Sequence, residues 1–154
     1  MKDARTLVNT YGDMIYRICL VSLKNHSDAE DATQEVFLKY LTRAPDFDTE
    51  EHEKAWLITV ALNQCRNMLR NQKIIPTDPE LLHLSENPPE QNQILDALMQ
   101  VPEKFREVLI LYYIEGYKIK EISGIIGKGQ SAVKMRLAKG KKLLEQIYRK
   151  EYLS

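Results

Sequence analysis

The sequence predicts an all-α protein of two small helical domains joined by a flexible Pro-rich linker, the second domain containing a helix-turn-helix. Apolar residues recur at steps of three and four, which is the spacing of one buried helical face. No segment alternates apolar and polar residues as a half-buried strand does, and no Asn-Gly hairpin turn occurs. Four of the six prolines fall between residues 76 and 89, where helix therefore cannot continue.

These observations place the domains at residues 1–71 and 92–154 and the linker at residues 72–91. The alternative is a long surface loop inside one domain, although structureless loops of that length are uncommon.

The first domain is predicted to hold three helices. Leu7, Tyr11, Met14, Ile18 and Val21 form the apolar stripe of the first helix. The second helix is expected to begin at a capping box, with Ser27 as the N-cap and Glu30 as its partner, and to end before Pro45. The third is expected from near Glu50 to about Asn71.

In the second domain, a short helix is predicted to stop before Pro102, and a second to run from Glu103 to Ile114, ended by Gly116. Helices at 118–126 and roughly 130–148 follow, joined by the three residues 127–129. A short helix, a three-residue turn with glycine and a second helix form the pattern of a helix-turn-helix.

Composition narrows the class of protein. The chain has 154 residues, of which 44% are apolar and 29% charged, as in globular proteins. The longest apolar run, Val108–Ile114, is too short to cross a membrane, so no direct membrane insertion is expected. Cys19 and Cys65 form no CxxC pair and the chain has three histidines, so we expect no metal site, no cofactor and a reduced, cytoplasmic protein.

The net charge of zero conceals a strong asymmetry along the chain. Residues 1–70 hold 9 Lys and Arg against 11 Asp and Glu, whereas residues 101–154 hold 12 against 6. The basic C-terminal third and the neutral-to-acidic N-terminal part indicate two different partners. The C-terminal part is expected to bind a polyanion, and the N-terminal part a partner of another kind.

The second helix of the helix-turn-helix is the first candidate site. Its first turn offers short polar groups suited to base edges, and basic residues further along suit phosphates. The candidate DNA-binding residues are Lys118, at the start of the first helix, and five residues of the second helix, Gln130, Ser131, Lys134, Arg136 and Lys139. The alternative is an ordinary helical hairpin with a solvated basic face.

A polar stripe on the third helix is the second candidate. Its members follow helical spacing, and no acid occurs from Lys54 to Lys73. Amides and guanidinium groups without carboxylates suit a nucleic-acid backbone or exposed bases, although many surface helices carry such a stripe. The stripe consists of Thr59, Asn63, Arg66, Asn67 and Arg70, with Trp56 at the helix start as either a core residue or a stacking platform.

The third candidate is an acidic patch on the second helix, with Asp28, Glu30, Asp31 and Glu35. Carboxylates can bind a metal or act as acid–base groups, but the Glu-x-x-His step of helical carboxylate metal sites is missing. Acids in a first helical turn also complement the helix dipole. A surface that docks on a basic partner is the remaining reading.

Several segments, in order, resemble the extracytoplasmic-function (ECF) sigma factors, the small two-domain group of the bacterial sigma-70 family. Residues 28–37 (DAEDATQEVF) are similar to the family's region 2.2, and residues 54–63 (KAWLITVALN), continuing to Arg70, are similar to regions 2.3 and 2.4. Residues 101–109 (VPEKFREVL), 121–127 (EISGIIG) and 133–137 (VKMRL) resemble region 4.

The resemblance implies a non-enzymatic transcription initiation factor that binds core RNA polymerase through its β and β′ subunits and reads promoter DNA. It implies that the acidic patch, with Gln34, docks on the β′ clamp helices, that the third helix contacts the −10 element, and that the helix-turn-helix reads the −35 element. It further implies control by an anti-sigma factor.

One segment departs from the family pattern, and another has a role that the resemblance leaves open. Lys128 and Gly129 stand in the turn where the family has an apolar residue and Ser. The family's usual −35 promoter sequence therefore does not predict the −35 sequence that this chain recognises. Residues 46–53 correspond to the family's loop that captures a flipped −10 base, and which of them receives the base is open.

Two other classes of protein remain as alternatives. One is a freestanding helix-turn-helix regulator, which leaves the acidic patch unexplained. The other is a helical carboxylate metalloenzyme, which the missing His spacing disfavours.

Overall fold

The structure is a computed structural model that describes residues 1–71 and 89–153. It divides into two compact units, Met1–Pro76 and Thr77–Ser154. All regular structure in the described residues is helical, which confirms the predicted all-α class. The predicted Pro-rich linker lies outside the described residues, apart from its last three positions. Those positions already belong to a helix that begins at Pro89, where the missing N–H of proline costs no hydrogen bond.

Unit 1 consists of the three helices α1 (Ala4–Leu23), α2 (His26–Arg43) and α3 (Glu50–Asn71). Each helix packs against both others, because each carries an apolar stripe that water would otherwise contact. The buried residues include Leu7, Ile15 and Ile18 of α1, Val36 and Tyr40 of α2, and Leu57, Ile58 and Leu62 of α3. The predicted bounds of α3 are confirmed.

The start of α2 differs from the prediction. Asn25, not Ser27, is the N-cap, and its side-chain oxygen accepts a hydrogen bond from the Asp28 backbone N–H at 3.0 Å. The reason is the preceding helix, which ends with Lys24 in the left-handed conformation at φ 60°. The chain therefore reverses within two residues, and Ser27 already lies inside the first turn of α2.

Unit 2 contains α4 (Pro89–Gln100), α5 (Glu103–Leu109), α6 (Ile119–Ile126) and α7 (Gln130–Tyr148). Helix α7 packs against each of the other three. The contact with α5 is close at Gly140, where an added Cβ would lie 3.1 Å from the Phe105 Cβ and 3.2 Å from the Leu109 side chain. Glycine thus lets the two helices approach.

The helix predicted from Glu103 to Ile114 changes pitch part-way. It is α-helical to Leu109 and then makes a π-helical turn, Ile110–Ile114, with Glu115 N–H donating to the Ile110 carbonyl at 2.9 Å. The segment is closed by Gly116 at φ 77°, a conformation that glycine adopts without strain. A second π-helical turn, Arg149–Leu153, follows α7.

None of the helices in the described ranges, residues 1–71 and 89–153, combines the length and the hydropathy that crossing a membrane requires.

Candidate docking and nucleic-acid surfaces

The acidic patch lies on the exposed face of α2. Ala29, Ala32 and Val36 bury the opposite face, so the helix directs the patch away from the core. Glu30, Asp31, Gln34 and Glu35 are exposed and Asp28 is half-buried.

Neither an ion pair nor a metal-binding group involves the patch in the part of the chain that the structure describes. The salt bridges of Lys2 in the same unit go to Glu50 and Glu53 of α3, and no group of three or more His, Cys, Asp or Glu among the described residues converges on a possible ion position. Four carboxylates on one solvated helix face can attract a cationic surface over roughly the Debye length of 8–10 Å.

The polar stripe of α3 is preorganised by hydrogen bonds within the helix. Arg66 donates to the Asn63 side-chain oxygen at 2.9 Å, and Arg70 donates to the Asn67 side-chain oxygen at 2.8 Å. Because a guanidinium only donates, each pair uses the oxygen of an exposed amide as the acceptor and leaves the amide NH2 as a donor. The stripe therefore presents mainly hydrogen-bond donors, which suit phosphate oxygens and the acceptor atoms of bases.

Thr59 and Trp56 belong to the same stripe by position but are less available. The Thr59 hydroxyl donates to the Ala55 carbonyl at 2.9 Å. Trp56 is half-buried and packs edge-on against Tyr40 and Phe47, with ring centroids 6.1 and 5.8 Å away. One part of its indole thus supports the core while another part reaches the surface.

A cavity of about 340 Å³ lies beside the start of α3. The sequence predicted a base-capturing segment at residues 46–53, next to this cavity. It did not predict that Met1 and Lys2 also line the cavity. The lining residues are Met1, Lys2, Pro45, Asp46, Phe47, Asp48, Thr49, Glu50 and Glu53.

Glu53 is a buried carboxylate at the edge of this cavity, only 5% exposed. One oxygen accepts hydrogen bonds from Lys2 Nζ at 2.6 Å and the Tyr11 hydroxyl at 2.8 Å, and the other accepts from the Tyr40 hydroxyl at 2.6 Å. We call Lys2, Tyr11, Tyr40 and Glu53 the Glu53 cluster.

The electrostatics of the Glu53 cluster favour a charged carboxylate. Burial by itself would raise the pKa of Glu53, but the hydrogen bonds from its three partners outweigh burial and hold the pKa below its ordinary value. Burial and the hydrogen bond to Glu53 raise the pKa of Tyr11. The sequence does contain a signal that Glu53 lies on the buried face of α3, since it precedes the buried residues Leu57, Ala61 and Cys65 at steps of four.

The helix-turn-helix forms from α6 and α7. Gly127 ends α6 in the left-handed conformation at φ 70°, and its N–H donates to the Ser123 carbonyl at 3.0 Å. The Ser123 hydroxyl donates to the Lys128 carbonyl across the turn. Ile122 and Ile125 of α6 and Val133 of α7 are buried, which fixes how the two helices meet.

The candidate −35 residues lie on the exposed part of this motif with one exception. Gln130, Ser131, Lys134 and Lys139 are exposed on α7, as is Lys118 at the start of α6. Arg136 is half-buried, because it is next to the buried line of Val133, Leu137 and Gly140. Met135 is 65% exposed and adds an apolar group to the outer face.

Comparisons with known proteins agree with this architecture. The family model of Sigma-70 region 2 matches residues 7–74, and that of Sigma-70 region 4 matches residues 91–144. The chain is 29% identical to the RNA polymerase sigma factor SigV of Bacillus subtilis, over 97% of this chain and 93% of that protein. It is 27% identical to the ECF RNA polymerase sigma factor SigW of the same organism, over 93% of this chain and 87% of that protein.

Among solved structures, the fold is similar to that of the sigma factor RpoE from Bartonella quintana, which was crystallised with the anti-sigma factor NepR. The TM-score is 0.79 at 18% identity, covering 98% of this chain and 99% of that one. CnrH, in complex with the cytosolic domain of CnrY, has a TM-score of 0.74 at 22% identity, covering 96% of this chain and 88% of that one.

Regions 2 and 4 thus occur in order, together match most of the chain, and coincide with the two structural units. The chain belongs to the ECF group of the sigma-70 family, the transcription initiation factors that direct core RNA polymerase to promoters.

Proposed function

We propose that the two units divide the work of promoter recognition, and that the chain performs no chemical reaction of its own. The observation that carries this proposal is the distribution of charge and donors. The exposed acidic patch of α2 has no ion-pair partner among the described residues, whereas α3 and α7 present donors and cations. An anionic surface suits a basic protein partner, and the other two suit DNA.

The docking face is Asp28, Glu30, Asp31, Gln34 and Glu35, and its partner is a basic surface of the polymerase β′ subunit. Complementary charge of this kind steers association and fixes register. We expect the β subunit to contribute contacts elsewhere, as the family resemblance implies.

The −10 face is the α3 stripe together with the cavity at its start. Asn63, Arg66, Asn67 and Arg70 contact the separated strand, and the exposed part of Trp56 offers a stacking surface. The cavity beside residues 45–50 receives one extruded base. Extruding a base costs a few kcal/mol, which such a cavity and stacking must offset.

The −35 face is the N-terminal half of α7. Gln130 and Ser131 in the first turn face base edges, while Lys134, Lys139 and Lys118 suit phosphates. Met135 is placed for apolar contact with a thymine methyl group. Arg136, at the edge of this surface, contributes a charged contact with DNA.

Control by an anti-sigma factor is part of the proposal. RpoE of Bartonella quintana was crystallised with such a factor and shares this fold. Family membership and the fold support the same mode of control here, acting on a cytoplasmic protein.

The test of the −35 assignment is transcription in vitro with core RNA polymerase and the variant Arg136→Ala. The variant removes one charged contact with DNA, and a hydrogen bond to a charged group contributes about 1.5–3 kcal/mol, so we expect transcription from a −35-dependent promoter to fall about tenfold. The variant Gln146→Ala, an exposed position on the distal half of α7, serves as the control. Equal transcription by Arg136→Ala and wild type would show that another face of α7 meets DNA.

A further inference from the structure

The Glu53 cluster connects parts of the chain that are distant in sequence. Lys2 and Tyr11 are 51 and 42 residues from Glu53, and Tyr40 is 13 residues away. The Lys2 backbone N–H also donates to the Tyr40 hydroxyl at 3.0 Å. Hydrogen bonds through one carboxylate therefore join the N-terminal residues, α1 and α2 to the first turn of α3.

Tyr40 links this cluster to the segment that forms the cavity. Its ring stacks on Phe47 at 6.1 Å and meets Trp56 edge-on at the same centroid distance. Phe47 in turn packs against Trp56 and His52. The side chain that binds Glu53 through its hydroxyl thus holds Phe47, which lines the cavity, through its ring.

Stability alone does not account for a carboxylate at this position. The other buried residues on this face of α3 are apolar or small, as at Leu57 and Ala61. An apolar side chain is often at least as stabilising as a buried ion pair. Unlike an apolar side chain, the carboxylate fixes the positions of Lys2 and Tyr40 through directional hydrogen bonds. Lys2 and Glu53 also line the cavity.

We propose that Glu53 is a positioning residue for promoter opening. Through Lys2 and Tyr40 it holds residues 45–50 and the cavity in the one shape that accepts the extruded −10 base and discriminates among bases. This inference rests on the proposed −10 function of the cavity. Glu53 is only 5% exposed, so it acts by holding the other residues of the cavity wall, and the base contacts those residues.

The experiment measures base selectivity of the reconstituted holoenzyme. Core RNA polymerase with wild type, Glu53→Gln or Tyr40→Phe is titrated with single-stranded non-template −10 oligonucleotides that carry each of the four bases at each position. Affinity for core polymerase and the thermal midpoint of the free chain are measured beside it. Asp13→Asn, which neutralises an exposed acid of α1 outside residues 45–53, is the control.

We expect the ratio of affinities for the preferred and the other bases at one −10 position to fall about tenfold in both variants. This is the discrimination that one good base contact provides. Affinity for core polymerase and selectivity at the other positions should match wild type, as should every value for Asp13→Asn. Tyr40→Phe keeps the ring that packs on Phe47, so it supplies the test if Glu53→Gln does not fold.

Unchanged selectivity in the folded variants would overturn the inference. So would a parallel loss of thermal midpoint, core affinity and selectivity at all positions, because that pattern marks a purely structural role. A wild-type holoenzyme with no base selectivity at any −10 position would contradict the proposed −10 contact itself, and this inference with it.

Discussion

Glu53 and Arg106 are charged residues that lie in the cores of the two units. Each forms several hydrogen bonds there, which offset the cost of burying its charge. The Glu53 carboxylate accepts three hydrogen bonds. Arg106 donates to the Met99 and Val101 carbonyls at 3.1 and 2.9 Å, close to the end of α4, where carbonyls lack helical partners. A buried charge so paired fixes local geometry, whereas an exposed charge of the α2 patch stays available to another molecule.

Glu53 should make the stability of the chain depend on pH in the acid range. Its pKa is lowered in the folded state, so its stabilisation is complete above the unfolded value of 4.5 and is lost as the pH falls through the lower folded value. The groups that face it are Lys2, Tyr11, Tyr40 and, through Lys2, Glu50.

Glu53→Gln should therefore lower the free energy of unfolding at pH 7 by about 1.5–3 kcal/mol, the value of hydrogen bonds to a charged group. The difference from wild type should shrink at lower pH, as the wild-type carboxyl is protonated. Urea denaturation at pH 7 and at pH 4 measures both quantities. A difference that is constant between the two pH values would contradict the assigned charge state.

Sequence analysis at the residue scale found the exposed candidates but missed the Glu53 cluster. The stripes of α2, α3 and α7 were predictable because helical periodicity alone decides which side chains share a face. The partners of Glu53 were not, because Lys2 and Tyr11 reach it from far along the chain and no local pattern encodes that pairing.

Helix boundaries were predicted correctly where a single residue, such as a glycine at a helix end, determines the boundary. The turn between α6 and α7 lies where glycines predicted it, with Gly127 in the left-handed conformation. The start of α2 was predicted wrongly because Asn25 and Ser27 are both good caps, and the end of α1 selects between them. The π-helical turn at Ile110–Ile114 was not predictable, since periodicity over five residues does not distinguish it from α-helix.

The cap assignment gives a direct test at the scale of one helix. Asn25→Ala removes the acceptor of the Asp28 N–H and should lower the free energy of unfolding by about 1 kcal/mol. Ser27→Ala should leave it within about 0.5 kcal/mol of wild type, because Ser27 is exposed inside the first turn. Chemical denaturation of both variants compares them, and the reverse order of effects would restore Ser27 as the cap.

The close approach of α5 and α7 predicts opposite effects at two helical glycines. Gly140→Ala brings a Cβ against Phe105 and Leu109 and should destabilise the chain by about 1–2 kcal/mol, since overpacking outweighs the better helix propensity of alanine. Gly124→Ala on α6 meets no atom within 4 Å and should stabilise it by about 0.5–1 kcal/mol. Thermal unfolding measures both. Equal stabilisation by the two variants would mean that α5 and α7 are not in contact at Gly140.

The molecule as a whole combines zero net charge with a basic C-terminal third and an acidic patch on α2. A neutral chain gains little from general attraction to DNA, which is mainly electrostatic and depends strongly on salt. We therefore expect weak DNA binding by the isolated chain and promoter-specific binding once core polymerase holds both units. Tight, sequence-specific binding by the isolated chain would contradict this division of roles.

The most direct test of the account is binding of the purified chain to core RNA polymerase, with wild type beside Asp31→Lys. Placing a like charge against the basic partner costs several kcal/mol, so the affinity of Asp31→Lys should fall at least about tenfold. Asp13→Lys, the same charge change at an exposed aspartate of α1, should bind as wild type does. Tight binding by wild type and Asp13→Lys, lost in Asp31→Lys, is the predicted result. Equally tight binding by all three chains would refute the docking face, and failure of wild type to bind would contradict the proposed function.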